Sequence, residues 1–368
     1  KTMLMQVAYA LLIGDLIMMV ANQCRPYEIV AGSTDKAIEI CMDAVTKRFT
    51  GERVIRYGEV KHLFQFVLDV FGKVRLDKTQ KKKLVGIVGE SGCGKSVTCK
   101  SIIQLLGSNG RITGGSIRFQ NDDLAQKTPA QMRAIRGNEI AMIFQDPMSS
   151  LNPTFTIGYQ IMEGLRIHLG LKKREAWVRA VELLARVGMK EPELVMKSYP
   201  HTLSGGMRQR AIIAMALACD PKLLIADEPT TALDVSVQAQ IMELLKRLQK
   251  EFRMAVLLIT HDMGVVSHMA DRVLVMYAGQ IVEEAQAEEL FHHPFHPYTR
   301  ALLSAIPTTG DSEDRKLSSI PGMVPENYDT ISGCRFADRC PYTRQECHQR
   351  IGLREISKEH TVRCILQL

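Results

Sequence analysis

Residues 89–96 carry the clearest chemical signal in the chain. They read Gly-Glu-Ser-Gly-Cys-Gly-Lys-Ser and fit the pattern G-x-x-x-x-G-K-[ST]. Glycines let successive backbone N–H groups turn toward one anion, and the N-terminus of a following helix adds a favourable dipole. Lys95 is expected to reach the β- and γ-phosphates of a nucleotide, and the Ser96 hydroxyl to bind Mg²⁺. The stretch therefore predicts a phosphate-binding loop.

The segments on either side of this loop are those that the pattern requires. Residues 84–88 form a short apolar run that predicts a buried strand, and residues 96–106 have apolar side chains at helical spacing. A strand before the loop and a helix after it are the context in which the pattern binds phosphate. The residues predicted to contact the nucleotide are Ser91, Gly92, Cys93, Gly94, Lys95, Ser96 and Val97.

Polar side chains stand directly after three further apolar runs, each of which predicts a strand. They are Asp227 with Glu228, His261, and Gln145. Strands that alternate with helices indicate an α/β domain. Phosphoryl transfer needs positioning, charge neutralisation and an oriented water more than it needs covalent chemistry. We therefore expect Asp227 to hold Mg²⁺ and Glu228 to polarise the attacking water as general base.

The bulk properties limit the partners that we expect. A chain of 368 residues is long for one domain, so a main domain with appendages is predicted. The formal net charge of +7 is spread along the chain, which does not indicate a nucleic-acid-binding arm. Residues 3–20 are apolar except for Gln6 and Asp15, and their length is near the lower limit for a membrane span. A buried or partner-docked helix is our preferred interpretation, and a membrane-surface anchor the alternative.

Four of the nine cysteines lie in the last tenth of the chain. A nucleotide site favours a reducing compartment, where clustered cysteines are metal ligands more often than disulfides. The gaps between them hold five, six and sixteen residues, which differs from the paired C-x-x-C spacing of zinc ribbons. Four thiolates can bind zinc or a four-iron four-sulfur cluster, and the spacing leaves both open. The predicted ligands are Cys334, Cys340, Cys347 and Cys364, with His348 and His360 as substitutes if the metal is zinc.

Taken together and in this order, these motifs resemble the ATP-binding subunit of an ABC transporter. Residues 203–207, Leu-Ser-Gly-Gly-Met, are similar to the ABC signature, with Met in the common Gln position. By this resemblance, Gln145 corresponds to the Q-loop, which reaches Mg²⁺ and the attacking water. Asp234 corresponds to the D-loop, and His261 to the switch histidine that contacts the γ-phosphate. Among the upstream rings that are candidates to stack on adenine, the resemblance favours Phe49 over Tyr57, Phe64 and Phe66.

The resemblance also implies a fold and a domain organisation. It implies a P-loop NTPase ABC nucleotide-binding domain over residues 37–290, with a RecA-like core, an antiparallel β subdomain and an α-helical subdomain at about 146–215. An apolar extension of unclear role, residues 1–36, precedes this domain, and a small metal-binding extension, residues 291–368, follows it. In this family the signature loop of one subunit contacts ATP held by another. That role would fall to Ser204, Gly205, Gly206 and Met207.

Three segments are similar to the branch of the family that imports oligopeptides, dipeptides or nickel: residues 146–153, 234–240 and 293–303. Met207 makes the chain closer to the D-type than to the F-type subunit of that branch. This implies ATP-driven peptide import, with an F-type ATPase as heterodimer partner, two membrane permeases and, indirectly, an extracytoplasmic substrate-binding protein. The implied location is peripheral, on the cytoplasmic face of the plasma (inner) membrane. The resemblance favours the four-iron four-sulfur cluster over zinc in the tail.

Three alternative functions are weighed against peptide import: another cargo, a soluble ATPase and a regulatory subunit. Nickel or another small solute stays open as the cargo, because other subunits select it. A soluble ABC ATPase acting on nucleic acid or ribosomes would usually show two cassettes or a long coiled-coil insertion, and neither is evident, so nucleic acid is not an expected partner. A non-hydrolysing regulatory subunit is disfavoured because Lys95, Glu228 and His261 are all present.

Overall fold

The computed structural model describes residues 83–107, 110–120, 122–231, 233–306, 320–325 and 327–366. Three expectations therefore lie outside the described residues. They are the apolar extension 1–36, the strands that the sequence predicts at 37–42 and 67–71, and the adenine-stacking ring of Phe49.

The described chain begins with a strand, a loop and a helix, as the sequence predicts. The elements up to the first helical insertion are β1 (Leu84–Val88), α1 (Lys95–Ile102), β2 (Arg118–Phe119), β3 (Asp122–Asp123), α2 (Pro129–Ile135) and β4 (Ile140–Ile143). Strands β2 and β3 pair with each other as a small separate antiparallel sheet. The phosphate-binding loop thus joins β1 directly to α1.

A run of helices follows β4 and forms the helical part of the domain. They are α3 (Pro147–Ser150), α4 (Ile157–Leu169), α5 (Lys173–Arg186), α6 (Pro192–Lys197) and α7 (Gly205–Ala216). Thr156 caps α4 by accepting a hydrogen bond from the Tyr159 amide, and Gly170 ends that helix in the left-handed conformation. Apolar side chains at helical spacing, such as Ile161 and Leu165, are buried against the main core.

The rest of the described chain alternates strands and helices as far as β7 and ends in the C-terminal tail, which by our prediction begins at residue 291. These elements are β5 (Leu223–Asp227), α8 (Val235–Glu251), β6 (Ala255–Ile259), α9 (Met263–Met269), β7 (Arg272–Tyr277), β8 (Gln280–Gln286), α10 (Ala287–His292), α11 (Pro297–Ser304), β9 (Arg354–Ser357) and β10 (His360–Val362).

One eight-stranded sheet in the order β4-β5-β6-β1-β7-β8-β10-β9 organises the molecule. The first five strands in that order are parallel, and the last three pair antiparallel. Every residue of β1 and β5 is buried, which explains why these strands read as continuous apolar runs rather than alternating ones. Because parallel strands end at one edge of a sheet, the residues that follow β4, β5, β6 and β1 gather there.

The C-terminal tail completes this sheet. Strand β10 pairs with β8, where Thr361 lies opposite Glu284 and Val362 opposite Glu283. The buried Glu283 carboxylate accepts hydrogen bonds from the amides of Phe295 and His296, at 2.7 and 2.9 Å, and lies 2.9 Å from His360 Nε2. One carboxylate therefore links three parts of the chain: β8, β10 and the segment that precedes α11. The domain boundaries at 36, 290 and 291 stay predictions.

Within the part of the chain that the structure describes, no helix is both long and apolar enough to span a membrane.

Candidate functional site

Three glycines shape the phosphate-binding loop. Gly92 and Gly94 have φ values of 82° and 100°, in the left-handed region that favours glycine. A Cβ on Gly89 would lie 2.1 Å from the Met276 carbonyl oxygen, which no side chain tolerates. The loop can therefore follow this path only with glycine at these positions.

The Lys95 ammonium lies at the centre of the loop. Its Nζ donates to the carbonyl oxygens of Gly89 and Glu90, at 2.7 and 3.0 Å, and the residue is only 5% exposed. These acceptors are neutral, so the ammonium has no carboxylate to neutralise its charge in these contacts. An anion in the loop would supply that charge, because opposite charges attract strongly where water is excluded.

Ser96 and Asp227 meet beside the loop. The Ser96 hydroxyl donates to Asp227 Oδ1 at 2.9 Å, and Asp227 is 2% exposed. Burial raises the pKa of the Asp227 carboxyl, the hydrogen bond from Ser96 opposes this, and the charge of Glu228 raises it further. A hydroxyl and a carboxylate oxygen are ligands that suit Mg²⁺. The donor set therefore fits the metal that the sequence predicts.

Three side chains converge on the Glu228 carboxylate. Gln145 Nε2 and Thr231 Oγ1 donate to Oε2 at 3.0 and 3.1 Å, and His261 Nδ1 lies 3.4 Å from Oε1. Glu228 has a φ of 46°, which costs a non-glycine residue about 1–2 kcal/mol. Its amide donates to the Ile259 carbonyl at 3.0 Å, which holds this conformation. The fold thus aims one carboxylate at the strand-end edge and surrounds it with polar groups.

The signature residues lie at the exposed N-terminus of α7. Ser204 caps this helix by accepting from the Met207 amide at 3.3 Å. A Cβ on Gly206 would lie 2.9 Å from Val237 Cγ1, so glycine is needed for close packing against α8. Asp234 caps α8 in the same way, accepting from the Val237 amide at 2.9 Å. The predicted signature and D-loop residues are therefore neighbours.

The sequence did not reveal three residues that contact this region. Thr231, three residues after Glu228, donates to its carboxylate, and a short polar turn after a strand is the signal that could have indicated it. Tyr298 and Arg339 both contact Glu90 of the loop, across 208 and 249 residues of chain. No local pattern can indicate contacts of that range.

The predicted metal centre of the tail is not supported by the structure. Within the segments whose coordinates are described, no group of three or more His, Cys, Asp or Glu side chains could hold a metal ion. Burial, and after it the charges of Cys364, Cys340 and Cys347, together raise the pKa of the Cys334 thiol to about 11. His348 is exposed and His360 faces Glu283. The donor chemistry fits a four-thiolate centre, but its ligand geometry is not present.

Comparison with known proteins adds family information to this geometry. A family model described as "ABC transporter" matches residues 75–231, and one described as "Oligopeptide/dipeptide transporter, C-terminal region" matches residues 282–347. The oligopeptide transport ATP-binding protein AppD of Bacillus subtilis is 54% identical over 288 residues, which is 78% of this chain and 88% of that protein. The chain belongs to the ATP-binding subunits of ABC transporters. Within them it falls in the oligopeptide/dipeptide transporter family.

Further relatives agree with this membership. The dipeptide transport ATP-binding protein DppD of Haemophilus influenzae is 48% identical over 316 residues, covering 84% of this chain and 94% of that protein. A solved structure of the ATP-binding cassette MJ0796, dimeric and bound to ADP and Pi, is 30% identical with a TM-score of 0.50, and the match covers 56% of this chain and 87% of the other. The solved structure of cbiO1 from Clostridium perfringens, part of the ABC transporter complex cbiONQ, is 28% identical with a TM-score of 0.51. The match covers 58% of this chain and 81% of that one.

Family membership confirms the predicted fold and enzyme class. The chain has the ABC nucleotide-binding fold, with a mixed sheet and a helical part, and it is an ATP-hydrolysing transporter subunit. ATP and Mg²⁺ are the ligands of such a subunit, and it acts as a peripheral ATPase together with membrane permeases.

Proposed function

We propose that this chain hydrolyses ATP to energise the import of dipeptides and oligopeptides through membrane permeases. The convergence of Gln145, Thr231 and His261 on the Glu228 carboxylate is the observation that carries the proposal. This group lies at the strand-end edge that also holds Lys95 and the Ser96–Asp227 pair. The peptide-transport names of AppD and DppD support the choice of cargo.

Binding would begin with an exchange of partners by Lys95. Its ammonium leaves the carbonyls of Gly89 and Glu90 and takes up the β- and γ-phosphates, while the loop amides and the N-terminus of α1 face the same oxygens. The remaining contacts in this role come from Ser91, Gly92, Cys93, Gly94 and Val97. Ser96, Asp227 and Gln145 would hold Mg²⁺, which supplies positive charge to neutralise the phosphates.

Hydrolysis would then use the Glu228 carboxylate as general base. A water held by Glu228 attacks the γ-phosphorus in line, the bond from that phosphorus to the β–γ bridging oxygen breaks, and Glu228 accepts the water's proton. His261 contacts the γ-phosphate, and its position beside Glu228 lets it hold the carboxylate at the same time. Thr231 keeps the carboxylate oriented through its own hydrogen bond.

Two nucleotide-binding subunits would share each ATP. The exposed N-terminus of α7 offers Ser204, Gly205, Gly206 and Met207 to the nucleotide held on a partner, and the neighbouring Asp234 belongs to the same surface. We propose an F-type ATPase as that partner, with two permeases and an extracytoplasmic binding protein completing the complex. The chain would then sit at the cytoplasmic face of the inner membrane.

The four tail cysteines would bind a four-iron four-sulfur cluster, or alternatively zinc. Support comes from their donor chemistry and from the mutual influence of their charges on the pKa of Cys334. Anaerobic purification followed by visible absorption and assays of iron, sulfide and zinc tests this. About four irons and four sulfides per chain support the cluster, whereas one zinc per chain and no colour support the alternative. A metal-free tail would refute both.

Affinity purification of the tagged chain from its own membranes tests the transporter assignment. Permease subunits should copurify with it, together with a second ATPase of the same class. Recovery of RNA, DNA or ribosomes in place of permeases would contradict the proposal.

A further inference from the structure

The tail holds the phosphate-binding loop through an ion pair. Arg339 forms two parallel contacts with Glu90, the second residue of the loop: Nη1 lies 2.9 Å from Oε2 and Nη2 lies 3.0 Å from Oε1. The side chain of Arg339 is 7% exposed and that of Glu90 is 29% exposed. Two-point guanidinium–carboxylate pairs of this kind fix geometry as well as charge.

A second contact holds the backbone of the same residue. The amide of Glu90 donates a hydrogen bond to the Tyr298 hydroxyl at 2.8 Å. Tyr298 is fully buried, and its ring centroid lies 4.7 Å from that of Tyr277 and 5.3 Å from that of Phe336. The aromatic cluster of Tyr277, Tyr298 and Phe336 therefore makes a rigid support for the hydroxyl.

A third connection reaches the loop at Cys93. The carbonyl of Cys93 accepts from the Gly279 amide at 2.8 Å, in the turn between β7 and β8. Arg335 of the tail donates to the neighbouring Ala278 carbonyl and lies 4.8 Å from the Tyr328 ring. The tail thus supports both the start and the middle of the loop.

Glu90 links these contacts to the proposed ATP lysine, because its carbonyl accepts from Lys95 Nζ at 3.0 Å. We propose that Arg339 is a positioning residue for ATP binding: it fixes Glu90, keeps the loop in its anion-binding shape and neutralises the carboxylate beside the phosphates. The inference rests on the proposed nucleotide site and adds the tail to it.

Two physical effects make ATP affinity depend on this pair. If the loop loses its support, only a fraction of molecules has the binding-competent shape, and the apparent dissociation constant rises by the inverse of that fraction. In addition, an unpaired Glu90 carboxylate would repel the phosphates, and partial burial makes this repulsion stronger than in water. The second effect can be removed separately, by replacing Glu90 with the neutral glutamine.

Binding of a fluorescent ATP analogue with Mg²⁺ to the whole chain tests the proposal. We expect Arg339→Met to raise the dissociation constant about tenfold, which corresponds to about 1.4 kcal/mol. The matched control is Arg350→Met, which changes an exposed arginine of the same tail and should leave binding unchanged. The double variant Arg339→Met with Glu90→Gln should bind more tightly than Arg339→Met alone.

The rescue separates the pairing of Arg339 with the Glu90 carboxylate from a general loosening of the tail. Arg339 also donates to the carbonyls of Pro321, Ile320 and Gly322, so its loss affects the tail itself. A merely structural role would not be reversed by neutralising Glu90. Unchanged binding by Arg339→Met, or a weakened affinity that Glu90→Gln does not improve, would overturn the proposal. If Arg339→Met does not fold, Arg339→Lys keeps the charge without the two-point contact and should weaken binding about threefold; unchanged binding would again overturn it.

Lys95→Ala measured in parallel separates this inference from the site on which it depends. Lys95→Ala should abolish binding of the analogue. If Lys95→Ala loses binding of the analogue and Arg339→Met keeps it in full, only the role of the tail is overturned. Full binding by Lys95→Ala would overturn the nucleotide site itself.

Discussion

Replacing Glu228 by glutamine separates the proposed base from the binding of ATP. The amide has nearly the same shape, and its oxygen can still accept from Thr231, as the carboxylate does at 3.1 Å. It cannot take the proton of the attacking water. General-base catalysis contributes about 10²- to 10⁴-fold, so turnover should slow by that factor, which is a rise of about 2.7–5.4 kcal/mol in the activation free energy. Because Glu228 is not among the residues proposed to bind phosphate, ATP affinity should change little.

Steady-state phosphate release and nucleotide binding should be measured on the same preparations. Glu228→Gln should lose turnover and accumulate an ATP-bound pair of subunits, detected as a shift in size on a sizing column run with ATP. Glu243→Gln, which changes an exposed glutamate of α8, is the matched control and should behave as wild type. Turnover within a few-fold of wild type in Glu228→Gln would refute the assignment of the base.

Three further substitutions, the first with a glycine control, have defined outcomes. Gly89→Ala puts a methyl group against the Met276 carbonyl and should lose both stability and ATP binding, whereas Gly164→Ala, with open space in the middle of α4, should stabilise by about 0.5–1 kcal/mol in thermal unfolding. Asp227→Asn should abolish Mg²⁺-dependent turnover yet melt above wild type in metal-free buffer at neutral pH. Burial raises the folded-state pKa of Asp227, so ionising it costs stability as the pH rises through that pKa. Glu283→Gln should destabilise the tail by about 2–3 kcal/mol, measured by limited proteolysis at neutral pH.

Each of these has a clear contrary result. Normal ATP binding by Gly89→Ala would mean that the loop tolerates a side chain there. A melting difference between Asp227→Asn and wild type that does not grow from acidic to neutral pH would contradict the burial argument. For Glu283, burial alone would raise the pKa, but the hydrogen bonds with His360, Phe295 and His296 lower it below the ordinary value. Its stabilisation should therefore be present at neutral pH and lost as the pH falls through that lowered pKa; proteolysis of Glu283→Gln at the wild-type rate would contradict it.

Local pattern was sufficient for β1, β7 and β8 of the sheet. The run at 84–88 coincides with β1. The apolar runs 273–277 and 281–283, which flank Ala278-Gly279 and predict a hairpin, correspond to β7 and β8. The helix predicted over 96–106 ends at Ile102 instead. Gln104 has a φ of 51°, and the Arg136 guanidinium donates to the carbonyls of Ile103 and Gln104. A side chain more than thirty residues away thus caps this helix, and helical spacing cannot reveal that.

The tail strands were not predicted, and the reason is also one of range. Strands β9 and β10 are short, and β9 carries Arg354 and Glu355. Strand β10 pairs with β8, and its His360 contacts the buried Glu283. For the site, motif spacing identified the residues around Glu228, but not the support of Glu90 by Tyr298 and Arg339. Those contacts depend on tertiary packing across most of the domain.

ATP hydrolysis at Glu228 is proposed to drive peptide uptake. The most direct measurement is uptake of a radiolabelled peptide, with radioactive nickel in parallel, by cells in which Glu228→Gln replaces the wild-type chain at equal expression. We expect peptide uptake to be lost in these cells and nickel uptake to be the same as in wild-type cells. Undiminished peptide uptake, or a loss confined to nickel, would contradict it.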